Sequence, residues 1–568
     1  MEIIKHDGPG RLGVIRFEKR AVQTPALAGV DFTLSPFNSF FYPKNYSEYD
    51  FNLAPSIPLS YYTPREIIEK ALPRLESINY SGFNAFYLPA LKRIEYLDRL
   101  LSIVESYDFE AIYLGNSKVL VRDYRIFVET VRRIRERFPN LVIIADLEPF
   151  FYPLAVYLGV DAFDTRSLKV YTFEGKGFTQ FSPLLWDEPQ DPIEYAKNVI
   201  RLVRMAIDEG KLRYLVENFL PTPANAGILR IADREHADYL ERYTPVHLNT
   251  VLFVSDHSMT RPEVFRWHAR VRERFEPPEN VELVLILPCS AKKPYSQSRS
   301  HILFRKVMRE VLGDGVHRVH ELIVTSPYGL VPREWEWLAR YDIVVTGHWS
   351  EEEVKWAAEL IAKTLEKYGD VPIVAHVEGG YRRAVELAAE LSGREIIFTE
   401  IRGSATSSRS LESLKETLEE FGPKEGTKED RRYRFYENVR KVFDFYFGLG
   451  AGRAVLPDGA QIIGSKMLRL IIGNKQTGTY KDGVISVTPF GMACIYGALK
   501  AYWVEIDFQL RGDVFAVGVE RADERIRPGD WVGVVRDGEV VAVGRAVLSG
   551  PEMVKAKRGI AVKVKKRA

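Results

Sequence analysis

The sequence predicts a multidomain α/β protein, on three observations: its length, an alternation of short apolar runs with helical patterns, and a late change to closely spaced strands. At roughly 150 residues per domain, 568 residues suggest about four domains. Apolar, charged and aromatic fractions of 46%, 27% and 12% are globular averages, which excludes a disordered, collagen-like or lone coiled-coil chain.

Residues 1–255 show the rhythm of a parallel sheet, and their length suits a TIM-like (β/α)8 barrel. Strands are expected at Ala111–Leu114, Leu141–Ala145, Val160–Phe163 and Leu215–Val216. Between the first two, Ile126, Val131 and Ile134 fall near helical spacing beside basic residues, the pattern of a crossover helix. In residues 256–425 the rhythm restarts, with strand candidates VELVLIL, ELIVTS, DIVVTG, PIVAHV and EIIFTE, so a doubly wound α/β domain is expected. GPKEGTKED, residues 422–430, is polar and Gly/Pro-bearing and reads as a linker with a boundary near 425. Residues 426–500 read as a small α+β domain, and 501–568 as a β-rich module with turns at RPGD and RDGE.

With 79 Lys+Arg against 77 Asp+Glu, the net charge is +2, so nucleic-acid binding must come from local patches. Two cysteines make neither a disulfide framework nor a Cys-rich zinc site, which points to a reducing cytoplasm. The opening MEIIKHDGPGR lacks a basic-then-apolar leader, and no uncharged apolar stretch approaches about 18 residues. Secretion and membrane spanning are disfavoured, and a cytoplasmic location is expected.

Reactive side chains concentrate in VELVLILPCSAKKPYSQSRSH. An apolar strand stops at Pro288 and is followed closely by Cys289, Ser290, Lys292, Lys293, Tyr295, Ser298 and His301. Parallel sheets place ligands at such strand ends. Ammonium groups near a thiol favour the thiolate, so Cys289 is a candidate nucleophile and His301 a candidate acid or base. Taken singly, Cys289 reads as a small buried hydrophobe, the lysines as solvated, and Ser298 as the cap of the helix bearing His301. Their grouping after one strand favours a site.

The following strands deliver Thr325, Ser326, Tyr328, Arg333, His348, His376, Glu378 and Arg382 to the same expected sheet edge. Ser350 with Glu353 makes a capping box, Gly379-Gly380 can simply turn the chain, and both histidines have structural readings. In the barrel, Asp161 and Asp164 end one strand while Asp146 and Glu148 end another. Such acids bind a purine edge, act as nucleophile and base, or merely cap helices. The final KAKRGIAVKVKKRA holds seven Lys or Arg in fourteen residues and no acid. Ile560, Val562 and Val564 alternate with Lys563 and Lys565. With Lys555, Lys557 and Arg558 this suits a phosphate backbone, and the alternative is an edge strand guarded by lysines.

Three segments resemble known families. PCSAKKPYSQSRSH, through Pro288, Cys289, Lys293, Pro294, Tyr295, Ser298 and His301, matches the signature of archaeosine synthases. GRLGVIRF and VQTPAL, with GVDAFDTRSLKVYTFEGKGFT, look like the barrel of archaeal tRNA-guanine transglycosylases. RPGDWVGVVRDGEVVAVGRAVLSG with KRGIAVKVKK resembles their PUA module. The resemblance spans essentially the whole chain and implies a degenerate TIM-like (β/α)8 barrel at 1–255 and a PUA RNA-binding domain at 501–568.

Departures narrow what is implied. The transglycosylase nucleophile maps onto Asp164, but the Asp-Ser-Gly segment holding the second aspartate has no counterpart near SPFNSFFYP. The transglycosylase zinc site takes three cysteines and a histidine. Here VENFLPTPANAG has no cysteine, and His247 in TPVHLN is the remnant. Neither base exchange, a metal nor a cofactor is therefore expected. The resemblance implies an ATP-independent transferase that adds an amine to the nitrile of 7-cyano-7-deazaguanine in the tRNA D-arm, towards the amidine of archaeosine. Free lysine is the implied donor, a radical SAM enzyme the implied partner, and a homodimer is compatible with the reading.

In the implied scheme Cys289 adds to the nitrile carbon and His301 shuttles protons. Lys293 and Tyr295 polarise the nitrile or hold the amino acid, beside Lys292, Ser298 and Ser326, and Arg333 pairs with its carboxylate. Asp164 and Asp146 are the barrel's substrate-binding candidates. Direct attack by the amine fits the motif equally. A glutamine-dependent amidinotransferase, a transglycosylase and a non-catalytic tRNA-binding protein remain the alternatives.

Overall fold

The computed structural model describes residues 1–178, 191–246, 249–345 and 347–568. They form two compact units. One comprises Met1–Val246, Val504–Asp530 and Arg545–Val564, and the other His247–Trp503, Trp531–Gly544 and Lys565–Ala568. Among the described residues no helix is long and apolar enough to cross a membrane.

The first unit opens with an antiparallel sheet of β1 (Glu2–Asp7), β2 (Gly10–Arg16) and β3 (Ala21–Thr24). A parallel sheet follows, built from β4 (Ala26–Ala28), β5 (Ala85–Leu88), β6 (Ala111–Leu114), β7 (Val142–Ala145) and β8 (Ala162–Asp164) in the order β4-β8-β7-β6-β5. Every residue of β6 and β7 is buried, the signature of a sheet covered on both faces. The crossover splits into helices Ser117–Leu120 and Tyr124–Arg137, and the second buries Phe127, Val131 and Ile134.

Two expectations change here. The described residues give five parallel strands, where a (β/α)8 barrel has eight. Single parallel bridges, Ala28↔Phe32, Leu34↔Phe51 and Leu53↔Ala85, accompany them. Leu215 and Val216 lie in the helix Leu212–Asn218, because Leu212 and Val216, four residues apart, bury one helical face. Asp161 proves structural. Its carboxylate takes Arg11 Nε at 2.9 Å, Arg135 Nη2 at 2.6 Å and the Ile143 amide at 2.9 Å. Burial pushes that carboxyl up, and the two guanidinium groups overcome this and leave it below the ordinary range.

In the second unit β9 (Val251–Leu252) precedes the central sheet of β10 (Leu283–Pro288), β11 (Val319–Thr325) and β12 (Gly329–Pro332). Next come β13 (Tyr341–Asp342), β14 (Ile373–Ala375) and β15 (Ile397–Phe398). The sheet order is β12-β11-β10-β14-β15, with β10 parallel to both neighbours (Leu283↔Val319, Val284↔Ile373). Four of the five expected strands take their places.

DIVVTG does not join this sheet. Its first residue ends β13, which pairs with β9, while Val344 is 81% exposed and Thr346 lies outside the described residues. The edge position goes to β12, which folds back antiparallel on β11 through Gly329 at φ +69°. From β10 the chain passes to β11 on one side and later to β14 on the other. The C-terminal ends of β10 and β14 therefore flank a topological switch point, where open α/β sheets bind ligands.

The expected linker is a packed turn between helices Ser408–Phe421 and Lys428–Phe447. A side chain at Gly426 would collide with the Asp314 backbone, and Thr427 with Asp430 forms a capping box. An antiparallel sheet of β16 (Gln461–Ile463), β17 (Leu468–Ile472), β18 (Lys475–Lys481) and β19 (Val484–Val487) comes next, then the helix Pro489–Leu499. Near the C-terminus RDGE turns a hairpin, with Asp537 at φ +52° and Gly538 at φ +81°, the conformation an Asp-Gly type I′ turn needs. The last strand is Ile560–Arg567.

Candidate active site

β10 is buried along its whole length and stops at Pro288, where the Cys289 amide still donates to Val324 O at 3.0 Å. The ladder thus fixes Cys289 at the rim, half-buried. Its Sγ lies 3.1 Å from Tyr381 Oη. Tyr381 sits in the first turn of the helix Gly379–Ser392, which follows β14 across the switch point. Gly379 takes φ +56°, and any side chain at Gly380 would strike Trp349, whose ring packs 4.9 Å from that of Tyr381 in a T-shaped contact. The glycine pair therefore does more than turn the chain, since it lets the indole brace the phenol. Burial pushes the Tyr381 phenol well up, and the charge of Cys289 adds to this. The hydroxyl stays protonated and can donate to the sulfur.

Lys293 lies on the same loop, its Nζ 4.1 Å from the centre of the Tyr341 ring. That nitrogen is buried and has no hydrogen-bond partner among the described residues. Burial pushes its ammonium down, and Cys289 and Asp342 pull it partly back. Beneath it, Tyr295 is fully buried, with Oη 2.6 Å from Tyr341 Oη, and Tyr341 also bonds Thr325. A ring and hydroxyl layer thus supports a cation left unpaired.

His301 is not placed for proton transfer. Its Nδ1 accepts from Arg333 Nη2 at 2.9 Å, since a guanidinium only donates, and Nε2 therefore donates to Pro288 O at 3.0 Å. Burial, aided by Arg333, pushes the imidazole down to about 3, so the ring is neutral and pins the end of β10. Arg333 is committed as well. It is buried against Glu321, Glu336 at 2.9 Å and His301, which leaves its charge spent inside the fold rather than turned towards a substrate carboxylate. Glu336 also accepts from the Ser296 amide at 2.8 Å, which ties the motif loop to this network.

Other expected residues divide between site and scaffold. Ser298 caps the helix Arg299–Leu312, Ser326 donates to Glu353 Oε1 at 2.6 Å, and Lys292 is exposed. His376 bonds Thr399 Oγ1 at 2.8 Å and Ala405 O at 2.7 Å. Tyr328 stacks on Trp267, Glu378 accepts from the Ala405 amide, and Arg382 pairs with Glu386. His348 is exposed, and Ser350 with Glu353 forms the expected capping box. Sequence reasoning passed over Tyr381, Tyr341 and Trp349, although an aromatic directly after Gly-Gly at a strand-to-helix turn was a usable signal.

In the first unit the acids at the parallel strand ends are also occupied. Asp164 is buried and takes Arg166 Nη2 at 2.7 Å, the Arg166 amide at 2.9 Å and Tyr113 Oη at 2.9 Å. Asp146 is more open. It accepts from Ser167 Oγ at 2.5 Å, lies 3.7 Å from Lys118 Nζ, and burial pushes its carboxyl up. Among the described residues no group of three or more His, Cys, Asp or Glu could hold a metal ion, and His247 lies outside them.

At the C-terminus Lys563 and Lys565 are exposed on one strand, alternating with the buried Val562. Lys555 Nζ donates to Glu136 O at 2.8 Å, the Lys557 amide to Asn140 Oδ1 at 2.6 Å, and Arg558 pairs with Glu110 at 3.3 Å.

A protein named archaeosine synthase subunit alpha, from Thermococcus kodakarensis, is 68% identical over 568 residues, covering 100% of both chains. The chain belongs to the archaeosine synthase family. Membership makes it a tRNA-modifying transferase, and the PUA domain model matches residues 504–567. The model of DUF5591, a domain of unknown function, matches residues 264–418, which hold the whole Cys289 motif. An archaeosine synthase from Methanocaldococcus jannaschii is 29% identical over 511 residues, covering 86% of this chain and 84% of the relative. A tRNA-guanine(15) transglycosylase from Methanothermobacter thermautotrophicus is 26% identical over 388 residues, covering 65% of this chain and 52% of that protein.

Proposed function

We propose that this family member adds an amine, with free lysine the donor, to the nitrile of 7-cyano-7-deazaguanine in the tRNA D-arm, and that Cys289 is the nucleophile. The observation that carries this reading is the Cys289 sulfur at a switch-point rim, 3.1 Å from a protonated phenol and beside a buried ammonium that has no partner among the described residues. A nitrile carbon is electrophilic without activation, so no ATP enters. The sulfur forms a bond to that carbon while its proton passes through Lys293 to the nitrile nitrogen, giving a thioimidate. The amine then bonds the same carbon and the C–S bond breaks. The amine's proton returns to sulfur through Lys293, leaving a substituted amidine and an unchanged enzyme.

Lys293 takes the proton-transfer role in this scheme because burial lowers its ammonium and its nitrogen has no partner among the described residues, whereas both nitrogens of His301 are engaged. His301 and Arg333 become positioning residues for the Pro288-Cys289 peptide. Tyr295 supports the loop, Ser298 caps the helix behind it, Ser326 is bound to Glu353, and the exposed Lys292 remains for the substrate. Asp146 is the better placed of the two barrel acids for a purine edge, since Asp164 is fully engaged by Arg166 and Tyr113. Single-residue bridges in the first unit support a degenerate barrel. The radical SAM partner that cleaves the lysine adduct, and a homodimer, complete the proposal.

The test is mass spectrometry of nucleosides after mixing the full chain with cyano-modified tRNA and each candidate amine. A mass gain equal to lysine is expected. Gain from glutamine nitrogen alone overturns the donor, and undiminished gain with Cys289→Ala overturns the covalent scheme.

A further inference from the structure

The segment around SPFNSFFYPKNY departs from the transglycosylase pattern, and in the first unit it does something of its own. Phe37, Phe41, Tyr42 and Tyr62 are 57%, 71%, 85% and 68% exposed. Lone exposed apolar residues are ordinary, but three aromatic rings presented within six residues are not, and Tyr62 adds a fourth later in the chain. The backbone beneath them is braced. Phe40 N donates to Ser56 O at 3.2 Å, Asn38 Nδ2 donates to Lys44 O and Leu53 O at 2.7 and 3.1 Å, and Lys92 N donates to Tyr61 O at 3.0 Å. Phe37 also packs edge-on against Tyr87 of β5 and Tyr113 of β6, at 5.6 and 5.4 Å. Phe37 therefore stands at the C-terminal side of the parallel sheet, on a braced backbone that also carries Phe41 and Tyr42.

Cations accompany them. Lys92 Nζ lies 5.8 Å over Tyr62 and Lys44 Nζ 4.9 Å over the neighbouring Tyr46, while Arg166, over Phe37, is already held by Asp164. Rings that stack on base faces, interleaved with cations that meet phosphates, are the combination by which proteins hold unpaired nucleotides. A protein partner fits less well, since lysine is depleted at the centres of protein–protein interfaces.

We propose that this aromatic rim is a stacking platform for unpaired, splayed nucleotides of the tRNA substrate, separate from the basic strand at the C-terminus. The proposal rests on tRNA being the substrate, but binding alone tests it, so a failure of the Cys289 chemistry leaves the result intact.

The experiment measures the Kd of the full chain for folded tRNA across a series of salt concentrations. With Phe41→Ala/Tyr42→Ala, affinity should fall about 10-fold or more while the slope of log K against log salt stays at the wild-type value, because stacking releases no counterions. Tyr42→Trp should keep wild-type affinity. With Lys563→Ala/Lys565→Ala, the slope should flatten by about 2, since each lost phosphate contact removes about 0.9. Tyr62→Ala gives an independent reading on the same rim, and an unchanged urea transition certifies each fold. Wild-type affinity in both aromatic variants overturns the proposal. So does a loss whose salt slope changes in step, or a change in sedimentation state without a change in tRNA affinity, which would assign the rim to a protein contact.

Discussion

Two sheet edges in this chain carry polar side chains at the C-terminal ends of parallel strands, and they are finished differently. At the edge of the first unit's parallel sheet Asp164 is closed off by Arg166 and Tyr113, and Asp161, just before the same strand, is closed off by Arg11 and Arg135. At the central edge Cys289 keeps its sulfur at the rim, and Lys293 keeps a buried nitrogen without a partner among the described residues. A buried polar group left unpaired costs stability, and under the proposed function Lys293 is the group at this edge that substrate would complete. Position at a strand end nominates a residue, and whether its charge is already paired shows which nominees are committed to the fold.

Cys289→Ala should test the contrast hardest, with turnover falling about 1000-fold or more and the melting temperature unchanged. Lys293→Met should lower the single-turnover rate about 100-fold. It should also leave stability equal or slightly raised, because it removes a buried, unpaired cation. A drop in stability equal to the drop in activity would make Lys293 part of the scaffold. Asp164→Ala should behave in the opposite sense. Losing the partner of Arg166 and Tyr113 should cost about 2 kcal/mol of unfolding free energy, a value reduced because Arg166 is partly exposed.

Acid should weaken the fold around the central edge through its buried histidines. Burial pushes His376 down to about 4, so it stays neutral when folded while the unfolded chain takes up a proton near the ordinary value of about 6.5. Its share of stability is complete above that value and is lost as pH falls towards 4. Between pH 7 and pH 5 the loss is about 2 kcal/mol in urea titrations, and His376→Gln should flatten this step. Tyr381→Phe should have the smallest effect, about 10-fold in rate at constant stability, the worth of one hydrogen bond to a reacting sulfur.

Much of this was legible beforehand where a single local pattern decides. Ala111–Leu114 is a strand, Ser298 caps its helix, and Ser350 with Glu353 makes its box, because apolar runs and capping offsets act within a few residues. DIVVTG and Leu215–Val216 misled for the same reason. Each has the composition of a strand, and each is placed by what lies beside it in space, the antiparallel return of β12 in one case and a shared helical face with Leu212 in the other.

The sequence by itself determined that a thiol, two ammonium groups, a phenol and an imidazole would leave one buried strand together, since an apolar run ending in Pro-Cys can do little else. Only the tertiary structure decided which of them are free. Arg333, thirty-two residues beyond His301, takes that ring's acceptor nitrogen. Tyr381, ninety-two residues beyond Cys289, reaches its sulfur, while among the described residues no group bonds Lys293 Nζ. Hydrogen bonds are settled by neighbours in space, and a linear pattern records neighbours in the chain.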